Sequence, residues 1–191
     1  MEGRMMDYSI NPEKHELESV RRDIEEIVEK YSYSLEVETV EFTLGWQIFE
    51  KDCNVLSGEK TLNVIINPDK ELENLEKHVL RGLLEIEFME KTEYQEIRYN
   101  WQEIARMAYV KIRSSNLRDE ELSVDENIEE RWSDLKPKLE NETEEFDEEL
   151  YLNAGVLADA VANHHSKNGD LEKLPKAKKD DVIKAGDALF N

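Results

Sequence analysis

The sequence predicts an α+β fold in which a small sheet packs on helices and a helical, acidic region follows. Three observations indicate this class. Residues 35–44 alternate between apolar and acidic side chains, as a half-buried strand does. Residues 61–67 form a short apolar run that ends before Pro68, which cannot donate to a strand ladder. Residues 71–91 carry a broad apolar stripe at helical spacing, which predicts a deeply buried helix.

The N-terminal segment is predicted to form a helix that leads into the sheet. This helix is expected over residues 11–31, because Asn11 is a suitable N-cap and Pro12 suits the first helical position. Residues 46–56 have a less regular pattern, and they are interpreted as a second strand or an irregular edge. The third strand follows after a turn.

That third strand and the next helix are predicted to form the core. Val64, Ile65 and Ile66 follow one another, and a continuous apolar run favours a strand that is buried on both faces. In the helix over 71–91, the main stripe repeats at three- and four-residue spacing through Leu72, Leu75, Val79, Leu83 and Ile86. We therefore expect this helix to pack on the sheet.

The remaining segments predict helices. One helix is expected over 94–113, and the Glu-rich segment 124–150 is interpreted as two short helices interrupted by Pro137. A helix of small residues follows over 150–165, and a last short helix has Asp180 as a candidate cap.

The composition changes near residue 118, and this change suggests two parts. The predicted domains are an α+β core over 1–118 and a helical acidic region over 119–191. No internal repeat is recognisable in either part.

The net charge of -21 excludes several classes of partner. A surface this acidic repels a nucleic-acid duplex and an anionic membrane, so neither is an expected partner. Adaptation to a salt-rich, archaeal-type (halophilic) cytoplasm explains the charge, because salt screens carboxylate repulsion. The alternatives are a genomic bias towards Lys and Glu, and an acidic inhibitor that mimics DNA.

The chain is predicted to be cytoplasmic. Cys53 is the only cysteine, so it cannot form an intrachain disulfide. The first residues lack the basic region and apolar core of a signal peptide. No segment approaches the roughly 18–20 apolar residues of a membrane helix.

The stretch "NVIINPDKELENLEKHVLRGLLE", residues 63–85, resembles the minimal zincin fold, in particular the small SprT-like metallopeptidases. Those proteins place an extended run and Asn-Pro before an apolar helix with His-Glu-x-x-His. In this alignment Arg81 stands at the first zinc histidine, Gly82 at the general-base glutamate and Glu85 at the second histidine. The resemblance implies a zincin-like fold over residues 11–113 at most, with a degenerate site.

The chemistry of these replacements argues against peptidase activity. A guanidinium stays protonated and cannot bind zinc, glycine supplies no base, and one carboxylate does not hold zinc. We therefore predict no catalytic residues, no metal and no cofactor. His78, Arg81 and Glu85 remain as candidate ligand-binding residues of a vestigial pocket for a small anion or a peptide end, with Gly82 leaving its floor open. The alternative is a salt-bridged polar face, because Arg81 and Glu85 are one turn apart.

Two further groups are candidates for metal or nucleophilic chemistry. His164 and His165 are adjacent and point about 100° apart on a helix, so they suit a helix C-terminus better than a ligand pair. A divalent site that also uses Asp159 and Asp170 is the alternative. Cys53 lies beside acidic residues, which predicts a raised thiol pKa and a poor nucleophile.

Together these observations favour a non-enzymatic protein, an interaction or regulatory module that binds a protein partner. The alternatives are a small-ligand binder or hydrolase with an unrecognised site, and the DNA-mimic inhibitor.

The charge predicts how stability depends on salt. We expect the melting temperature to rise between low-salt buffer and molar potassium chloride, because the Debye length falls to about 3 Å at 1 M and carboxylate repulsion is screened. Thermal unfolding followed by circular dichroism measures this. A melting temperature that stays flat or falls would rule out salt adaptation as the cause of the acidity.

Overall fold

The chain has an α+β fold with a small mixed sheet and a helical C-terminal part. The computed structural model describes residues 14–31, 39–44, 52–58, 60–67, 71–91, 101–124, 126–141, 153–168 and 171–188. The chain divides into two compact units, Met1–Glu87 and Phe88–Asn191. The predicted cap residues Asn11 and Pro12 lie outside the described residues. No helix among the described ranges is long and apolar enough to cross a membrane.

In its described residues, the first unit contains a three-stranded sheet and two helices. Its elements, in chain order, are α1 (Lys14–Tyr31), β1 (Thr39–Leu44), β2 (Cys53–Ser57), β3 (Thr61–Ile66) and α2 (Leu75–Lys91), whose last turn continues into the second unit. Helix α1 faces the interior with Ile24 and Val28, which are fully buried and four residues apart, as one helical stripe requires. The order of elements follows the sequence prediction.

Strand β3 is the central strand of the described sheet. It pairs with β1 in parallel, from Thr39 opposite Thr61 to Leu44 opposite Ile66. On its other side it pairs with β2 in the antiparallel sense. Buried residues alternate with half-buried ones along β3, so the strand is not buried on both faces as the apolar run predicted. The second face of the strand carries Ile65 and the polar Asn63, and both of these residues are only half-buried.

Helix α2 packs its apolar side against this sheet and confirms the predicted deep burial. Six apolar side chains of the helix are almost completely buried, namely Val79, Leu80, Leu83, Leu84, Ile86 and Phe88. The helix begins at Leu75, later than the sequence pattern predicted. Directly before it, the Asp52 carboxylate accepts a hydrogen bond from the backbone N–H of Asn74 at 2.8 Å. This contact ties the helix start to the residue that precedes β2.

The second unit is helical in its described residues. Its elements are α3 (Trp101–Arg118), α4 (Ile128–Asn141), α5 (Ala154–Asn168), a 3₁₀ helix at Leu171–Lys176 and α6 (Lys179–Asp187). Helix α3 packs against α5, the 3₁₀ helix and α6, and its buried side chains share one core with theirs. The division between the units therefore falls before α3, whereas the composition suggested a boundary after residue 118.

Helix α4 continues through Pro137, where the sequence predicted an interruption. A proline inside a helix costs about 3 kcal/mol because it removes a hydrogen bond and crowds the preceding turn. Buried Trp132, Leu135 and Leu139 lie on both sides of Pro137 at helical spacing, and their burial offsets this cost. The rest of the predicted second helix lies outside the described residues.

The last helix of the second unit packs closely on α4. The backbone of Gly186 lies against the Trp132 ring, so that a Cβ at this position would lie far inside van der Waals contact. The Trp132 indole N–H donates to the Asp187 carboxylate at 3.0 Å. At the other end of α6, the N-cap residue is Lys178, and the carboxylate of Asp181 accepts from its backbone N–H at 2.9 Å. The predicted cap at Asp180 is therefore wrong by two residues.

We expect Gly186→Ala to destabilise the protein by about 1–3 kcal/mol, because the added methyl overpacks the buried Trp132 ring. The matched control is Gly155→Ala. Gly155 is also helical, but it is exposed and the nearest side-chain atom would be 4.0 Å from its Cβ. The control should be stabilised by about 0.5–1 kcal/mol through helix propensity. Chemical denaturation measures both, and equal effects of the two substitutions would contradict the packing described for α6.

Candidate functional site

Helix α2 approaches the sheet most closely at Gly82. A Cβ built on Gly82 would lie within 2.5 Å of Val55 in β2 and of Leu62 in β3. Both of those side chains are fully buried or nearly so. The sequence predicted that Gly82 would leave the floor of a pocket open, but the space beside Gly82 is filled by side chains of the sheet. The helix can come this close to the sheet only at a residue that has no side chain.

Arg81 reaches from α2 to the backbone of β2. Its guanidinium donates to the Val55 carbonyl at 3.0 Å and to the Asn54 side-chain oxygen at 3.4 Å. The Nε atom lies 3.7 Å from the Glu85 carboxylate, and this atom is buried with no hydrogen-bond partner among the described residues. Arg81 thus contacts one strand at two points and remains 38% exposed.

Glu85 lies one turn further along α2, beside the end of β2. Its carboxylate accepts a short hydrogen bond from the Ser57 hydroxyl and pairs with Arg81. The residue is only 9% exposed, so this carboxylate is held inside the unit by a cation and a hydroxyl. The Arg81–Glu85 ion pair that the spacing predicted is present.

His78 lies at the opposite end of the same helical face, near the start of β2. A ring nitrogen of His78, the Cys53 sulfur and a carboxylate oxygen of Asp52 all lie within 4.8 Å of one another. Within the described ranges this is the one group of three or more His, Cys, Asp or Glu side chains that could hold a metal ion. The structure thus places His78, Arg81 and Glu85 in one line along β2, but it gives each of them a different neighbour.

The Asp52–Cys53–His78 group was missed in the sequence because its members come from two distant segments. Asp52 and Cys53 are adjacent, and adjacent residues of a strand point to opposite faces. Asp52, however, occupies a bend before β2, and its main-chain carbonyl accepts from the Asn67 N–H at 2.9 Å. The bend allows its carboxylate to share a site with Cys53. No local pattern in the sequence reports this turn.

The local environment shifts the pKa values of Asp52 and Cys53 in opposite directions. Burial raises the pKa of Asp52, but backbone N–H donors, chiefly that of Asn74, outweigh burial and hold this pKa below its usual value. Burial, with a smaller contribution from the Asp52 charge, raises the pKa of Cys53 to about 12, and Arg81 opposes the shift. The expectation of a raised thiol pKa is confirmed, so in the metal-free protein Cys53 is protonated at neutral pH and is a poor nucleophile.

The two adjacent histidines lie in the second unit, near the end of α5. Their rings meet edge to face, with centroids 5.2 Å apart. Asp159, considered above as a partner for a metal, instead forms an ion pair with Lys111 of α3. Asp170 lies outside the described residues. The described contacts therefore do not bring these histidines to the carboxylate that the alternative required.

A cavity of about 600 Å³ opens beside these histidines. Basic groups prevail in its lining, which contains His164, His165, Lys173, Lys176 and Lys184 together with the acidic Glu172 and Asp181. Such a concentration of lysines contrasts with a chain whose net charge is -21. Sequence reasoning missed this cavity, although its three lysines all lie in the short segment 173–184.

The geometry along β2 limits the chemistry of the α2 face. Position 82 has no room for a carboxylate base, and Arg81 and Glu85 are engaged with Val55, Asn54 and Ser57. No protein-family model, curated protein or solved structure matches the chain.

Proposed function

We propose that the protein is a non-catalytic binding module that engages a protein partner in a salt-rich cytoplasm. One observation carries the non-catalytic part of this proposal, the contact of Gly82 with Val55 and Leu62. In the zincin resemblance this position belongs to the general base, and a base must project towards the metal-bound water. Here the position faces the packed sheet. The resemblance to a degenerate zincin stays a prediction.

The neighbouring residues support the same conclusion. Arg81 and Glu85 form an ion pair, and each also bonds to β2. Removing one partner of such a pair would leave a charge in a partly buried place, which is costly. These side chains therefore connect α2 to β2 and contribute to the stability of the first unit. A role in binding is left to surfaces outside this contact, such as the side of β2 that carries the 52% exposed Leu56.

Restoring the metallopeptidase motif tests the non-catalytic proposal. We expect the triple variant Arg81→His, Gly82→Glu, Glu85→His to lose more than about 3 kcal/mol of stability or to fail to fold, because the glutamate would have to enter the packed space at Val55 and Leu62. The matched control is the double variant Arg81→His, Glu85→His, which keeps Gly82 and should remain the more stable of the two. Denaturant unfolding compares them.

The same experiment includes a peptidase assay on the wild-type protein. Wild-type protein supplied with zinc should not hydrolyse an unfolded protein substrate. The proposal is overturned if the wild type hydrolyses the substrate, or if the triple variant matches the stability of the double variant and hydrolyses it.

A second candidate function is the binding of a small anion in the second unit. The cavity beside His164 and His165 favours it, because three lysines and two histidines line a space of about 600 Å³, a volume in the range of small-molecule sites. The chemical class that fits such a lining is a phosphorylated or polycarboxylate molecule. This candidate corresponds to the small-ligand alternative raised from the sequence.

Inorganic pyrophosphate is a suitable probe for this cavity. We expect it to raise the melting temperature of the wild type, with an effect that weakens in high salt because exposed charges are screened. Lys176→Gln and Lys184→Gln should each reduce the shift, whereas Lys178→Gln, at an exposed lysine outside the lining, should leave it unchanged. Equal shifts in all three variants would exclude the cavity as the binding site.

A further inference from the structure

We propose that Asp52, Cys53 and His78 form a zinc-binding site that joins the start of β2 to the first turns of α2. The site lies in the first unit and uses none of the three positions at which the zincin resemblance would place metal chemistry. It extends beyond the proposed binding function, because it assigns a metal to residues that neither a motif nor a family pattern identifies.

The distances between the donor atoms fit a single ion. The thiol sulfur, the imidazole nitrogen and the carboxylate oxygen are all within 4.8 Å of one another. Zinc lies about 2.0–2.3 Å from nitrogen, oxygen and sulfur ligands, so donors that share one tetrahedral ion lie roughly 3–4 Å apart. On this proposal, side-chain rotations close the remaining gap when zinc binds.

The donor types select the metal. A thiolate with an imidazole favours zinc over magnesium or calcium, which prefer sites made of oxygen ligands. One thiolate and one carboxylate together balance the two positive charges of the ion, which matters where Cys53 is completely excluded from solvent. The thiol releases its proton to solvent as the sulfur–zinc bond forms. A water molecule would complete the four ligands.

The carboxylate is already held in position. One oxygen of Asp52 accepts from the Asn74 N–H at 2.8 Å, and the main-chain carbonyl of Asp52 accepts from the Asn67 N–H at 2.9 Å. Hydrogen bonds to metal ligands of this kind fix their orientation and strengthen binding. Cys53 is fixed by its place in β2 opposite Ile66, and His78 by the helix. Only the side-chain rotations of the ligands remain to be ordered when zinc binds.

The role of the ion follows from the elements it joins. Asp52 and Cys53 lie at the beginning of β2, and His78 lies in the first turns of α2. Arg81 lies one turn after His78 on α2 and acts on Cys53 through its charge, and a guanidinium cannot take a proton from bound water. The ion therefore stabilises the contact between helix and sheet, and it is not placed to activate water.

Zinc titration of the full chain tests the site. After treatment with a chelator, the wild type should bind one equivalent of zinc, and its melting temperature should rise. Removing a direct ligand should weaken binding at least about a hundredfold, since even the loss of an outer hydrogen bond costs 10–100-fold. The ligand variants are Cys53→Ala, His78→Gln and Asp52→Asn, the last of which can still accept the Asn74 hydrogen bond. The control is Glu73→Gln, an exposed carboxylate beside Asn74 outside the group.

Cobalt substitution identifies the ligands directly. Cobalt(II) bound by Cys53 should give a thiolate-to-metal charge-transfer band in the near ultraviolet, which Cys53→Ala abolishes and Glu73→Gln retains. If Cys53→Ala does not fold, the zinc titrations of His78→Gln and Asp52→Asn decide whether these side chains bind the ion. The inference is overturned if the wild type takes up no zinc, if the band is missing, or if the ligand variants bind zinc as tightly as Glu73→Gln.

These outcomes separate the zinc site from the proposed function. Zinc uptake that depends on Cys53 and His78, without peptide hydrolysis, supports both proposals. Hydrolysis by the zinc-loaded protein would overturn the non-catalytic function and leave the site standing. Zinc uptake that is independent of the three ligands would overturn the site and leave the non-catalytic function untouched.

Discussion

The close approach of α2 to the sheet at Gly82 determines most of what the first unit presents to a ligand. A helix and a sheet normally pack with side chains from both elements between them. At Gly82 the helix contributes no side chain, so Val55 and Leu62 of the sheet pack directly against the helix backbone. The polar residues next to Gly82 then lie close enough to bond to β2. Arg81 bonds to its backbone and Glu85 to the hydroxyl of Ser57. One missing side chain thus places a whole polar face of the helix along a strand.

The sequence predicted the elements of this arrangement because each element is a local pattern. The apolar stripe of α2 and the burial of Val64 in β3 follow from periodicity within one segment. The two-sided burial expected for β3 was wrong for a different reason. Consecutive apolar residues in a strand do not reveal whether anything covers the second face, and here Ile65 is only half-buried. Coverage depends on the arrangement of other segments, which periodicity does not report.

The candidate site could be predicted only in part, and the missing part is non-local. The pairing of Arg81 with Glu85 is visible in their four-residue spacing. The role of Gly82 cannot be read from the sequence, because a glycine is compatible both with an open groove and with a close packing contact. The approach of His78 to Cys53 depends on how α2 lies over β2 and on a bend at Asp52. Pro137 illustrates the same limit, since tertiary burial of Trp132 and its neighbours overrides a local helix-breaking signal.

The chemistry available to the first unit follows from which charge lies next to which donor. Metal-dependent hydrolysis needs a carboxylate or an imidazole as a general base. On either side of Gly82, this face of α2 carries the Arg81 guanidinium and the Glu85 carboxylate, and that carboxylate is engaged with Arg81 and Ser57. Burial and, to a smaller extent, the Asp52 charge raise the pKa of Cys53, and the Arg81 cation opposes this shift. A cation favours a neighbouring thiolate, so Arg81 would help Cys53 to serve as a ligand of the proposed zinc site. With arginine at position 81 and glycine at position 82, this face of α2 holds the strand β2 in place, and it suits the proposed binding of an ion better than it suits a peptidase site.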